Sequence, residues 1–241
     1  MSTAGIGYAL QTLVTLTLTE TLPPTSRKAE WSWGAASPLS VLELFKRGRR
    51  LRVLACMNVL NEFSAGHTRP WMTVAQTQRD ELLGWSPIDR GRYNSYAGLM
   101  TLPGFVLASR LIGWLGERSA FVIGMLGYLV ELLVSRSAAT QLGFFVAKPI
   151  GVCSYSAAVA LGSRLSIAAH EAGMRQGELR GAIQNLQQLC GIVGPVAWGR
   201  AFAALSRRGR GSELYAIAAG LTALQLLLVP LAGLRTKAAA A

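Results

Sequence analysis

The segment Leu214 to Leu234 runs for 21 residues without one charged side chain. As a helix it covers roughly 30 Å, the thickness of the hydrocarbon core of a bilayer. A helix that is apolar all round must be buried in a large core or placed in lipid. The composition decides for lipid. Of the 241 residues 51% are hydrophobic and only 15% charged, against about 25% charged in a soluble domain. The mean hydropathy of +0.34 agrees. Most of the other apolar runs also lack the charged face that a soluble helical bundle needs. The expectation is an integral, multi-pass membrane protein.

The stretch Gln176 to Gly199 is the next most informative. At about 100° per residue, Gly181, Gln184, Gln188, Gly191 and Pro195 fall on one helical face. Leu186, Leu189, Val193 and Val196 lie opposite. This reads as a helix with a lipid-facing side and a small, amide-lined side, against which the rest of the chain would build a pathway. Gln184 and Gln188 have two readings: hydrogen bonds to a substrate, or amide pairs that tie helices together. Gly191, Gly194 and Pro195 permit close approach and a kink, which suits a rocking interface and ordinary packing equally.

The net charge of +12 raises nucleic acid as a partner. The basic residues, however, lie mainly between apolar runs and form no recognition motif, so membrane lipid is the expected partner and nucleic acid is not. In chain order, an apolar, threonine-rich segment (about Thr3 to Thr19) is closed by Thr19 to Pro24, because a proline pair cannot continue a helix. A basic linker follows, residues 25–52, with Pro38 to Phe45 expected as a surface-lying amphipathic helix. The second span, about Val53 to Ala75, is the most polar, and Asn58, Glu62, Gly66 and Arg69 share one of its faces. The third, about Gly91 to Trp114, carries Tyr93, Tyr96, Met100 and Pro103 on a broad face. Ala120 to Val134 makes a compact fourth span with Glu131 near its end. Gln141 to Leu161 makes a fifth, with Lys148-Pro149 inside it, and residues 162–180 read as a polar connection to the Gln176 helix.

These spans define an all-α, polytopic fold with about seven transmembrane helices. Its expected organisation is a membrane helix over residues 1–24, a basic cytoplasmic linker over 25–52 and a six-helix unit over 53–241. With the linker in the cytoplasm, alternation puts 14 of the Lys and Arg residues on that side, 9 on the other and Lys148 within the membrane, as the positive-inside rule favours. Arg207, Arg208 and Arg210 run against the rule. The first segment would then start outside. The apolar opening has no leader-like features, as expected of a chain that begins inside a larger architecture.

Four stretches, in this order and spacing, resemble the C-terminal half of a major facilitator superfamily transporter of the tetracycline/proton antiporter-like drug exporter kind. Glu20-Thr-Leu-Pro-Pro is similar to the acidic end of that family's sixth helix. Gly84-Trp85-Ser86-Pro87 resembles the loop before the eighth. Arg110-Leu111 with Gly116-Glu117-Arg118 and Ala120 resembles the second-half copy of the short cytoplasmic turn motif, with Gly113 where an acidic residue sometimes stands. Gln176 to Gly181, followed by Gly194-Pro195, resembles the eleventh helix. The resemblance implies six-helix half plus preceding helix, alternating access, a small-molecule substrate, a proton as candidate coupling ion, and a missing N-terminal half as partner. It also implies that the helices carrying Glu62, Tyr96, Lys148 and Gln184 line the cavity. Residues 164–175 are longer than the family's usual loop there, and the glycine-rich antiport signature belongs to a helix outside this chain.

Within that frame the candidate pathway residues are Asn58, Glu62, Tyr96, Lys148, Gln184 and Gln188. An ionised carboxylate in mid-span costs a few kcal/mol, so Glu62 is either a proton-coupling group or half of an ion pair with Arg69 or Lys148. Glu131, on what would be a peripheral helix, is set aside. Tyr155 and Trp198 read as packing or interfacial residues. Cys56, Cys153 and Cys190 have no metal or redox spacing, and His67 and His170 stand apart from any ligand set. No enzyme, metal or cofactor is expected. The alternative to a transporter is a truncated or non-transporting membrane protein that serves as a partner or structural subunit.

Overall fold

The computed structural model describes residues 40–66 and 85–234, all within one compact unit, and every regular element among them is helical. Helix α1 spans Val41–Lys46, α2 Arg49–Asn61, α3 Pro87–Leu99, α4 Thr101–Ser137 and α5 Gln141–Gly151. Then come α6, Ser154–Glu171, α7, Gln176–Ser206, and α8, Glu213–Leu228. A π-helical turn, Glu62–Gly66, extends α2, and a 3-10 turn, Val229–Leu231, follows α8. Local chemistry sets several ends. Ser86 and Asp89 close a capping box at the start of α3, with Pro87 in its first turn. The Thr140 hydroxyl accepts from the Gly143 N–H at the start of α5. Pro230 has no N–H to extend α8, which tightens into the 3-10 turn there.

Gly116 breaks α4. Its φ of 80° and ψ of 166° are non-helical and lie where glycine alone is unstrained. The two arms, residues 101–115 and 117–137, meet one stretch of chain: Gly104 packs on the Tyr155 ring, and Gly124 on the Cys153 carbonyl, Ser156 and Ala157. The chain therefore reverses at Gly116, at the expected short turn. The Ser156 hydroxyl donates to the Ala120 carbonyl across the same contact, at 2.7 Å. A side chain at Gly124 would overlap backbone, so glycine there sets how closely α4 and α6 approach.

Two apolar clusters follow each other along the second arm of α4. The first joins Leu44, Leu54, Met57, Phe121, Leu165 and Leu179; the second joins Trp85, Leu132, Phe144, Trp198 and Leu214. Between them lie three fully buried polar residues, Ser64, Thr222 and Gln225. Charges gather at the ends. Arg50 pairs with Glu171 at 3.0 Å and lies against Gly233, Asn185 donates to Ser40 at 2.9 Å, and Glu117 pairs with the buried Arg164. At the other end Arg136 and Arg210 both pair with Glu213, at 2.8 and 3.2 Å. The basic linker, the Gly116 turn and the α6–α7 turn thus share one end, as the charge count expects.

Four stretches are long and apolar enough to cross a membrane: Pro87–Ser137, Gln141–Glu171, Gln176–Ser206 and Glu213–Leu231. The expected all-helical, membrane-suited character holds, with four candidate spans among the described residues where the expectation was about seven over the whole chain. The first expected span and part of the second lie outside the described residues. Residues 41–46 form a short helix with Val41 and Leu44 buried in the first cluster and Leu42 and Lys46 exposed. Two boundaries differ from expectation. The helix of the second span starts at Arg49, inside the expected linker. The presumed connection after residue 161 stays helical to Glu171, because Leu161, Leu165, Ala168 and Ala169 continue a buried face.

The close α4–α6 approach predicts a contrast between two glycines. Gly124→Ala overpacks the contact and costs about 1–3 kcal/mol. Gly113→Ala meets open space and is neutral or slightly stabilising, since alanine is the better helix former by about 1 kcal/mol. Thermal unfolding of the two variants in detergent checks this; equal melting temperatures would contradict the packing.

Candidate functional site: an ion pair at a tightened helix turn

Helix α5 passes into α6 through Val152 and Cys153, which keep helical dihedrals while the backbone bonds tighten to an i→i−3 pattern, so one long apolar helix narrows there. Pro149 lies inside the last turn of α5, where it removes a backbone donor. Lys148 occupies the same turn, where the helix dipole favours a cation. Its ammonium forms an ion pair with the carboxylate of Glu131 on the second arm of α4. The Glu131 side chain is 9% exposed and that of Lys148 26%. The carboxylate rests against the bare Cα of Gly151, where a β-carbon would overlap it.

The pair borders a narrow, open cleft lined also by Ala97, Met100, Tyr128, Ser154 and Tyr155. The Tyr155 hydroxyl is hydrogen-bonded to the Thr101 hydroxyl at 2.9 Å, and its ring packs on Phe105 at 5.0 Å. Tyr128 forms another wall, and its hydroxyl donates to the Ser64 carbonyl at 2.8 Å.

That bond leads to a second polar group. Glu62 opens the π turn and accepts from the Gln187 amide of α7 at 2.9 Å. Asn58 lies one turn earlier on the same face, with its enclosed amide nitrogen lacking a hydrogen-bond partner. The π turn is held from three helices. Trp198 Nε1 donates to the Phe63 carbonyl at 3.1 Å, Tyr128 to the Ser64 carbonyl, and Gln225 to the Ser64 hydroxyl at 3.1 Å. The two carboxylates are therefore connected through the π turn and Tyr128. Among the described residues, no three His, Cys, Asp or Glu side chains gather as a metal site.

The structure brings Asn58 and Glu62 together and gives Lys148 a partner, but that partner is Glu131 rather than Glu62; Arg69 lies outside the described residues. Tyr96 stacks on Phe145 at 5.3 Å, in an aromatic group with Trp85, Tyr93 and Phe144, one residue from the cleft wall at Ala97. Gln184 and Gln188 are exposed. The face that α7 turns to the core is Leu179, Ala182, Leu186, Cys190, Gly194 and Trp198, so Leu186 is a core residue, not a lipid-facing one. Pro195 is exposed, Gly191 half-buried and Gly194 buried. In the turn motif, Gly116 reverses the chain, Glu117 pairs with Arg164 and accepts from Ser163 at 3.1 Å, and Arg110 and Arg118 are exposed.

Glu131 is the residue that the sequence reading set aside. Its arm runs to Ser137 rather than stopping at Val134, which places Glu131 farther from the end than expected. The signal was the spacing: Glu131 and Lys148 are nearly equidistant from the turn at residues 138–140, so antiparallel helices bring them to the same height.

Removing one partner of a buried pair strands a charge, and this predicts that Lys148→Met costs about 3–5 kcal/mol. The double variant Lys148→Met/Glu131→Gln removes both charges and regains most of that loss. Melting temperatures in detergent test it; a double variant no more stable than Lys148→Met would refute the coupling.

No protein-family model matches the chain, and no curated protein matches it.

Proposed function

We propose that this chain forms part of a secondary active transporter that moves a small molecule across a membrane by alternating access, coupled to protons. The observation that carries the reading is the Glu131–Lys148 pair beside the tightened turn between α5 and α6. Ionisable groups within apolar spans are costly, and where they persist they mark substrate pathways and proton relays. Pro149 in that turn withholds one backbone donor beside the pair. Apolar residues of similar size often replace a buried ion pair with no loss of stability. Stability alone is therefore a weak reason for this one. Glu62 adds a second carboxylate within the bundle, with a neutral amide as its partner.

Helix α7 supports the same reading from outside the cleft. Of its most apolar window 17% is buried, against 39–44% in the other three candidate spans. Its exposed side presents Gly181, Gln184, Gln188 and Pro195 beside Leu189, Ile192, Val193 and Val196, so a strip of small and amide groups on which a second helical half can pack closely adjoins an apolar one. A non-transporting subunit would use this face as well, but it has no need of the cleft. The similarity to the second half of major facilitator drug exporters, carried by the turn motif and the Gln176 helix, points the same way.

The test uses everted membrane vesicles that contain the protein and hold a proton gradient, read with a pH-sensitive dye against a panel of small molecules. At least one compound is expected to change the gradient, in either direction, in vesicles with the native chain and not in vesicles without it. Glu62→Gln is expected to abolish this coupled flux. Native vesicles that move no compound would refute the transporter reading, and full coupling in Glu62→Gln would remove Glu62 from the proton path.

A further inference from the structure

We infer that Lys148 is the anchor for an organic monoanion, which replaces the Glu131 carboxylate at the ammonium when Glu131 is protonated. The inference rests on the transporter reading and names the substrate class of its cleft.

The asymmetry of the pair carries the argument. Lys148 is 26% exposed and Glu131 9%, so a molecule entering the cleft meets the cation first. The lysine stem is long and flexible, whereas the carboxylate is pressed against Gly151. A cationic ligand would have to displace the ammonium and reach past it to the more deeply buried group. An anionic ligand needs only to take the place of a carboxylate that a proton has neutralised.

The remaining walls define the rest of the ligand. Ala97, Met100 and the Tyr128 and Tyr155 rings offer apolar and aromatic surface, and Ser154 offers a hydroxyl. Among the described residues, the charged ones lining the cleft are Glu131 and Lys148, and the titratable groups lining it beside Glu131 are Lys148, Tyr128 on its own helix and Tyr155 on α6. An ionised pair is neutral in sum. So is protonated Glu131 together with Lys148 and one bound monoanion. A dianion would leave an uncompensated charge in low dielectric. The ligand is thus a small carboxylate with an apolar or aromatic body.

The step balances simply. A proton from water adds to a Glu131 carboxylate oxygen, the charge-assisted contact to Lys148 Nζ is released, and the ligand carboxylate accepts from that Nζ. Departure of the anion lets Glu131 give up the proton and re-form the pair. One proton accompanies one anion, so the two move together at this site rather than in exchange.

Radiolabelled benzoate is the probe, measured by equilibrium binding to the protein in nanodiscs, with empty nanodiscs subtracted. Native protein is expected to bind about tenfold more tightly at acidic than at neutral pH. In Glu131→Gln the neutral-pH affinity rises to the acidic level and the pH dependence disappears. The double variant Glu131→Gln/Lys148→Met, which leaves no stranded charge, binds at neither pH. No benzoate binding by the native protein, pH-independent native binding, weaker binding in Glu131→Gln, or binding retained in the double variant would each overturn the inference. Tetraphenylphosphonium is the cationic comparator. Its binding to native protein, lost in Glu131→Gln, would assign the carboxylate to a cation and refute the anion site while leaving the transporter reading intact; that reading fails only if the vesicles move no compound at all.

Discussion

The π turn at Glu62–Gly66 is the interaction on which the rest of the bundle depends. Irregular backbone in an apolar setting exposes polar groups that lipid cannot satisfy, and each unpaired one costs free energy of the order of a lost hydrogen bond. Here Trp198 from α7 and Tyr128 from α4 donate to its carbonyls, while Gln225 from α8 donates to the Ser64 hydroxyl. Three helices far apart in sequence are thereby fixed in register against α2. The polar layer of Ser64, Thr222 and Gln225 that separates the two apolar clusters follows from this arrangement. Apolar contacts alone tolerate sliding; directional bonds to one turn do not.

Close approach of α4 and α6 is the second constraint. Gly104 and Gly124 admit α6 against both arms of α4, and Gly116 lets the arms reverse. Without that reversal Glu117 could not reach Arg164, and the second arm would not carry Glu131 back along α5. The ion pair is thus a consequence of three glycines and one turn, with Gly151 clearing the last space for the carboxylate.

The all-helical, apolar character was legible because it rests on long windows, in which many residues vote. The reversal at Gly116 was legible too, since glycine acts locally. What escaped depended on contacts between spans. The amides of α7 illustrate this. Periodicity grouped Gln184 with Gln188 on one face, yet the amides that bond within the chain are Asn185 and Gln187, offset by one residue. Periodicity gives the separation of faces but not which face turns inward, because that depends on Trp198 docking to Phe63. Glu131 escaped for a similar reason. A lone acid near a span end looks peripheral until the partner helix and its Lys148 are placed beside it.

The two carboxylates differ in their partners. Glu131 is paired with the Lys148 ammonium, and Glu62 accepts from the neutral Gln187 amide. Tyr128 stands between them. Its ring walls the cleft of Glu131, and its hydroxyl is committed to the carbonyl two residues from Glu62. The backbone irregularities on either side, the π turn and the tightened α5–α6 turn, both border this tyrosine or the cleft it lines. A displacement of the π turn must therefore move the cleft wall or break a buried hydrogen bond. Mechanical connection between the carboxylates does not need a continuous chain of exchangeable protons. One rigid ring, anchored at its hydroxyl and packed along its face, provides it.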